Sequence, residues 1–172
     1  ASFSKDIVWP YPIQFTWNAY LSLLKSSIYQ EAFLNSLLLG LGSAVISTVL
    51  ATVAVLSILK YRSRYKALIV AIFVAPLFVA DVLLGISTLV LNGLFLHIPG
   101  NIWSAILANS VRGFTYATLI ILTQLFRYNW KLDDAAMVFG AGPVRTFFEI
   151  TLPNIWSALL GAFIVTFILS FN

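Results

Sequence analysis

The stretch Asp134–Pro153, DAAMVFGAGPVRTFFEITLP, puts about twenty residues of polar, glycine-containing chain between two membrane-grade apolar segments. Leu132, Ala135, Ala136 and Phe139 fall at i, i+3, i+4 and i+7, one face of a helix. Gly140 to Pro143 then break the run. Glycine accepts the left-handed conformation that ends a helix, and proline suits the first turn of the next. A second face, Val144, Phe147, Phe148 and Thr151, leads to Pro153, which is expected to open the next apolar span. A connection that only joined two membrane helices would need a few polar residues. This one encodes a helix–turn–helix, a shape suited to being gripped from outside the chain. The other reading of the same pattern is an amphipathic hairpin lying in the headgroup layer.

Composition leads to the same class of protein. The chain of 172 residues is 60% hydrophobic and only 9% charged, with a mean hydropathy of +0.96, outside the range of soluble globular domains. A net charge of +4 would suit nucleic acid, but Lys60, Arg62, Arg64, Lys66, Arg127, Lys131 and Arg145, seven of the ten basic residues, lie in two short loops beside apolar spans. That is a topology signal and not a nucleic-acid patch. With no cysteine there is no disulfide framework, thiol catalysis or Cys-based metal site. The chain opens without a basic n-region or a small-residue cleavage site, so no signal peptide is expected. It starts on a polar, aromatic stretch and stops inside an apolar run at Ser170-Phe171-Asn172, which reads as a portion of a longer subunit.

Four apolar spans can be drawn: Phe33–Leu59; Ala67–Leu96, interrupted by Pro76 and Asp81; Ile102–Phe126, interrupted by Arg112; and Asn154–Asn172. The first exceeds the roughly 20 residues that cross a bilayer at 1.5 Å per residue. Basic residues crowd the connection from Lys60 to Lys66, which the positive-inside rule places in the cytoplasm. Parity then puts the His97–Asn101 turn outside and the 127–153 loop inside, where ATP is. In the first span Gly40, Ala44, Thr48 and Thr52 repeat every four positions, with Ser43, Ser47 and Ala51 in an adjacent row. Small residues let membrane helices approach closely, so this stripe is expected to face another core helix or a second subunit.

Two charges lie inside the spans. Asp81 is fifteen positions beyond Lys66, and Arg112 fifteen before Arg127, so both sit at a similar depth, about 22 Å from the cytoplasmic surface. An ionised group there costs at least about 2.5 kcal/mol on insertion scales and normally faces protein or a water-filled cavity. Three roles are open: an internal Asp81–Arg112 pair, a place on a translocation path or gate, and a lipid-edge position. Pro76 removes a helical hydrogen bond near Asp81, which frees backbone carbonyls to face a path as well. His97, beside Pro99-Gly100, reads as a turn residue and not a metal ligand. The chain has no Gly-x-x-x-x-Gly-Lys-Ser/Thr phosphate loop and no nucleophile–base or paired-carboxylate constellation, so no catalytic residue is assigned and the chain does not itself hydrolyse ATP. Asp133 and Asp134 adjoin each other on the loop, away from any pocket.

The loop carries a resemblance. An acidic residue, Ala-Ala, three residues, Gly, nine residues and Ile-x-Leu-Pro is similar to the EAA loop of permease subunits of binding-protein-dependent ABC importers. It matches as Asp134, Ala135, Ala136, Gly140, Ile150, Leu152 and Pro153, with Ala141 beside the glycine. Asp134 stands where that family usually has Glu, one methylene longer. FTWNAYLSLL, a gap and EAFLNSLLLG also resemble the aromatic segment and the start of the first core helix in such permeases, at Asn35-Ser36-Leu37. DVLLGIS after a membrane proline is closest in texture to the spermidine/putrescine-type branch.

The resemblance implies an all-α, polytopic helical bundle, a type I ABC-importer permease core with about four spans in this portion. It implies an outer-face interfacial segment, 1–32, in which Trp9, Tyr11, Trp17 and Tyr20 suit the headgroup layer. A transmembrane core, 33–172, then carries the cytoplasmic loop 127–153. Its place would be the bacterial cytoplasmic (inner) membrane, as a multi-pass protein in the lipid bilayer. The implied partners are ABC ATPase subunits that hydrolyse ATP and dock on the loop, a second permease subunit in a homo- or heterodimer, and an extracytoplasmic substrate-binding protein. No cofactor is bound by this chain. The solute implied is a polyamine such as spermidine or putrescine, and permeases for ferric iron, thiamine or phosphonate are similar. Two other classes are weighed beside it: a proton-coupled secondary transporter using Asp81, which would not need the loop, and a non-transporting scaffold, which would not need charges at matched depth.

Overall fold

The computed structural model describes residues 27–60, 65–79, 81–96 and 101–171, and every element among them is helical. Trp9, Tyr11, Trp17 and Tyr20, with most of segment 1–32, lie outside the described residues, as do Arg62, Arg64 and the turn residues His97 to Gly100. Helix α1 is Ser27–Lys60 and α2 is Lys66–Val74, followed by a 3₁₀ turn, Ala75–Phe78. Helix α3, Asp81–Val90, runs into a π turn, Leu91–Leu96; α4 is Ile102–Arg127 and α5 is Lys131–Val138. A short α6, Pro143–Thr146, passes through a second π turn, Phe147–Thr151, into α7, Leu152–Ser170. Three stretches, Ser27–Lys60, Ile102–Arg127 and Pro143–Ser170, are long and apolar enough to cross a membrane. The fold is therefore an all-α, polytopic membrane bundle.

The interruption read at Pro76 and Asp81 in Ala67–Leu96 is present as a break: Pro76 has no N–H for the preceding turn and the chain turns extended at Val79 (φ −94°, ψ 131°). The Thr115 hydroxyl of α4 supplies a donor there, bonding the Phe73 carbonyl at 3.1 Å. The last span does not begin at Asn154, since the helix is continuous from Pro143 through Pro153. The π turn just before Pro153 widens the helix where the proline ring would otherwise strike a carbonyl. Asn154 Nδ2 bonds the Ile150 carbonyl at 2.8 Å in the same turn. Beginnings are clearer where a cap is encoded: the Asn101 side chain accepts the N–H groups of Trp103 and Ser104, both at 3.1 Å, and starts α4 at Ile102.

Residues Leu39–Asn172 form one compact unit, whose core is a three-helix seam. Ala51 and Val55 of α1, Ala117, Ile121 and Leu125 of α4, and Ile155, Leu159 and Ala162 of α7 are buried together. The small-residue stripe faces inward, as its spacing suggests: Gly40, Ser43, Ala44, Ser47, Thr48, Ala51 and Thr52 are all buried. Its partners are α4 and α7. Ser43 Oγ donates to the Ile106 carbonyl at 3.2 Å and Ser47 Oγ to the Ser110 carbonyl at 3.1 Å, and a Cβ on Gly40 would lie 3.0 Å from the Phe167 ring. The matched order of the two serine contacts makes α1 and α4 parallel. Gly113 against Thr166 and Arg112 against the Leu169 carbonyl make α7 antiparallel to α4. Parallel α1 and α4 require the chain between them to cross back, as the parity of the spans requires.

Gly113 is the tightest point of the seam, because a Cβ there would fall on the Ser47 side chain. Gly113→Val is expected to push Ser47 off the Ser110 carbonyl and part α1 from α4. Overpacking of this kind costs about 1–3 kcal/mol, and an intramembrane hydrogen bond adds about 0.6 kcal/mol. A lowered thermal midpoint in detergent, with Ser47→Ala giving the smaller part of the drop, is the result that checks it.

Candidate functional site

Helix α5 is stopped by the backbone conformation that Gly140 supplies. Gly140 sits at φ +88°, in the left-handed region where a side chain would be strained. Its N–H donates to the Met137 carbonyl at 3.0 Å, and the Ala141 N–H donates to the Ala136 carbonyl at 3.1 Å. These two bonds make a Schellman stop and satisfy carbonyls that a helix end leaves open. Gly142 comes next in extended conformation, and Pro143 takes the first turn of α6. The helix–turn–helix read from the sequence is present over Lys131–Thr146.

The face expected from Leu132, Ala135, Ala136 and Phe139 points away from the bundle. Phe139 is 91% exposed and the neighbouring Val138 85%, while Leu132 and Ala135 are exposed and Ala136 half-buried. Val144, 71% exposed, extends the apolar surface across the turn. Asp134 and Gly140 are exposed, and Ala141 is half-buried beside the turn. Ile150 and Leu152 are half-buried and Pro153 exposed at the foot of α7, so the second part of the motif belongs to the last long helix. The expected second face does not hold as one face. The π turn shifts the register, leaving Phe148 outward and Thr151 buried.

In sequence Asp133 carries no pattern of its own, yet the structure makes it the centre of the loop. Asp133 is only 2% exposed. Tyr128 Oη donates to its Oδ1 at 2.5 Å, and the Thr151 hydroxyl reaches Oδ1 at 3.2 Å and Oδ2 at 3.1 Å. Its place in the first turn of α5 also favours a negative charge. The Tyr128 phenol is pushed up to about 12, first by burial, then by its bond to Asp133, with the Thr151 hydroxyl pulling the other way. The stability this shift contributes is complete below about pH 10 and is lost as pH rises through about 12. Tyr128 also meets Trp130 edge-to-face at 5.1 Å, so both ends of the Tyr128-Asn129-Trp130 link are held. The one signal in the sequence is the Tyr128-x-x-x-x-Asp133 spacing across a helix start, which no periodicity marks.

The intramembrane charges are placed in part. Arg112 of α4 is half-buried and its Nη2 donates to the Leu169 carbonyl of α7. It lines a small cleft with Pro76, Leu77, Val79, Thr115 and Tyr116, at the break in the second span. Asp81 opens α3 just beyond that break, and its side chain lies outside the described residues. On the basic side, Lys66 Nζ donates to the Leu59 carbonyl near the end of α1 at 3.1 Å, a favourable place for a cation. Arg145 pairs with Glu149 at 2.8 Å on the exposed face of the loop.

Three long apolar helices around a seam of small residues, with a stapled helix–turn–helix outside it, define a polytopic α-helical membrane protein. Its particular likeness is to permease proteins of polyamine transport systems. The chain is 29% identical over 162 residues, 89% of its length, to the putrescine transport system permease protein PotI of Escherichia coli K12, spanning 57% of that protein. It is 24% identical over 174 residues, 99% of its length, to the spermidine/putrescine transport system permease protein PotC of Haemophilus influenzae, spanning 66% of it. A further likeness, 26% over 181 residues and 91% of the chain, is to the maltose/maltodextrin transport system permease protein MalF of Photorhabdus laumondii, of which the match covers 35%. The chain thus spans between about half and two thirds of the polyamine permeases it matches. No family model matches. The recognition drawn from the loop motif, an ABC permease of the polyamine type, agrees with these relatives. All three are named as transport system permease proteins of bacteria, in keeping with the three long apolar helices of a multi-pass membrane protein.

Proposed function

We propose that this chain is the core of a permease subunit in an ATP-driven ABC import system. The core forms part of the path for a small solute and is moved by a separate ATPase through the 127–153 loop. The observation that carries the reading is the apolar knob of Val138, Phe139 and Val144. It stands outside the bundle on a Schellman-capped turn and is fixed at its base to the long helices. An isolated apolar surface on a rigid hairpin suits insertion into a groove of a partner. Asp134, Ala135, Ala136, Gly140, Ala141, Ile150, Leu152 and Pro153 are the coupling set on this reading. Small alanines allow close approach, Gly140 makes the turn, and Ile150, Leu152 and Pro153 lead into α7.

The same reading supplies the remaining partners. A second permease subunit completes the path, and an extracytoplasmic binding protein delivers the solute. ATP is hydrolysed on the partner ATPase, and this chain binds no cofactor. A polyamine is the best-supported cargo, because PotI and PotC are permeases of putrescine and spermidine/putrescine transport systems. Arg112 and Asp81 line the path or pair within it.

The test is uptake into vesicles that hold the assembled system. Transport is expected to need internal ATP and an added binding protein, and to survive a proton uncoupler. Uptake that collapses with the uncoupler and ignores ATP would replace this reading by proton-coupled transport.

A further inference from the structure

We infer that Asp133 is a positioning residue that clamps the loop to two long helices at once, so that movement of α5 is passed to α4 and α7 together. This rests on the docking reading and goes beyond it by naming the joint. A helix of eight residues, Lys131–Val138, carries the exposed knob but buries only one of its own side chains, that of Asp133. Apolar packing therefore does little to hold it. What ties it down is polar and short. Tyr128, the residue that caps α4, reaches Asp133 at 2.5 Å. Thr151, the last residue of the π turn before α7, reaches both carboxylate oxygens. One carboxylate thus joins the end of one long helix, the start of the short helix and the foot of another. Charge-assisted hydrogen bonds of this kind are directional and shorter than neutral ones, and a buried carboxylate left without them is costly. The joint therefore stays closed in the resting protein and resists bending between α5 and α7.

The π turn gives the joint its geometry. A widened turn carries an extra residue and rotates the facing of the residues after it. That shift puts Thr151 inward while Phe148 stays outward.

The experiment compares Asp133→Asn, Thr151→Val and Thr151→Ser in the full subunit, alone in nanodiscs and assembled with its ATPase in proteoliposomes. In the subunit alone, amide exchange over Lys131–Ala141 should quicken at least tenfold in Asp133→Asn and Thr151→Val, with α4 unchanged. Thr151→Ser, which keeps the hydroxyl, should match the wild type. In the assembled system the first two variants should still hold the ATPase and hydrolyse ATP, but the solute moved per ATP should fall about tenfold. Unchanged exchange, or an unchanged ratio of solute to ATP in variants that hold the ATPase, would overturn the clamp. Loss of the ATPase from Asp133→Asn alone would also overturn it, by making Asp133 part of the docking surface. A wild-type subunit that never holds the ATPase would instead overturn the docking reading itself.

Discussion

Gly140→Pro is expected to abolish ATPase association and transport while the long helices still insert and pack. Gly140 stands at φ +88°, and proline is locked near −65° and has no N–H. The substitution therefore removes the Gly140–Met137 bond and the turn conformation together, and the knob of Val138 and Phe139 loses its direction. The bundle core contains no residue of this turn, so insertion and expression should stay near normal. Gly140→Ala is the graded version. A single L-residue in the left-handed region costs about 1–2 kcal/mol, enough to weaken coupling without ending it. Ala136→Glu should give the same loss as proline by a different route, because a carboxylate pressed into an apolar docking groove is unpaired. Asp134→Glu restores the residue usual in EAA loops at an exposed position, and full or improved coupling is expected. Normal co-purification of the ATPase with both Gly140→Pro and Ala136→Glu would remove the coupling role of the loop.

The second large effect concerns Asp81 and Arg112. If they pair, losing either one alone strands the other in a low-dielectric setting, a penalty of about 3–5 kcal/mol for a buried pair. Asp81→Asn and Arg112→Gln should then each lower thermal stability, and the double variant should recover most of it. The recovery should be incomplete, because Arg112 also donates to the Leu169 carbonyl of α7 and that contact is lost with the guanidinium. If Asp81 instead guides a cation along the path, Asp81→Asn should leave stability near the wild type and raise the KM for a polyamine, and Arg112→Gln should not copy that defect. Additive stability losses count against pairing, and an unchanged KM in every variant counts against a path role.

The features legible in the sequence share one property: each is written in local spacing. The small-residue stripe of α1, the span that starts at Ile102 behind Asn101, and the Gly140 stop all hold in the structure. Each depends on which residue stands at a fixed offset along one helix. What local spacing leaves out has a different origin. Pro76 marks an interruption, but the extended residue at Val79 that splits the span depends on how the freed carbonyls find donors, including Thr115 from another helix. Pro153 has the look of a span's start, although the π turn before it lets the helix run through. Asp133 escapes a periodic reading because its partners lie five positions before it and eighteen after it, and only folding brings Tyr128 and Thr151 to one carboxylate. Sequence periodicity reports faces of helices; it does not report joints between them.

The most direct measurement places a photo-reactive side chain at Phe139, which is 91% exposed, and asks what it attaches to in native membranes. A second copy of the probe at Ile168, exposed on α7, serves as the control. With the loop seated in its partner, the Phe139 probe should cross-link to the ATPase subunit and the Ile168 probe should not. Attachment of the Phe139 probe to lipid alone, as for a hairpin lying in the headgroup layer, would show that the loop does not couple this chain to ATP.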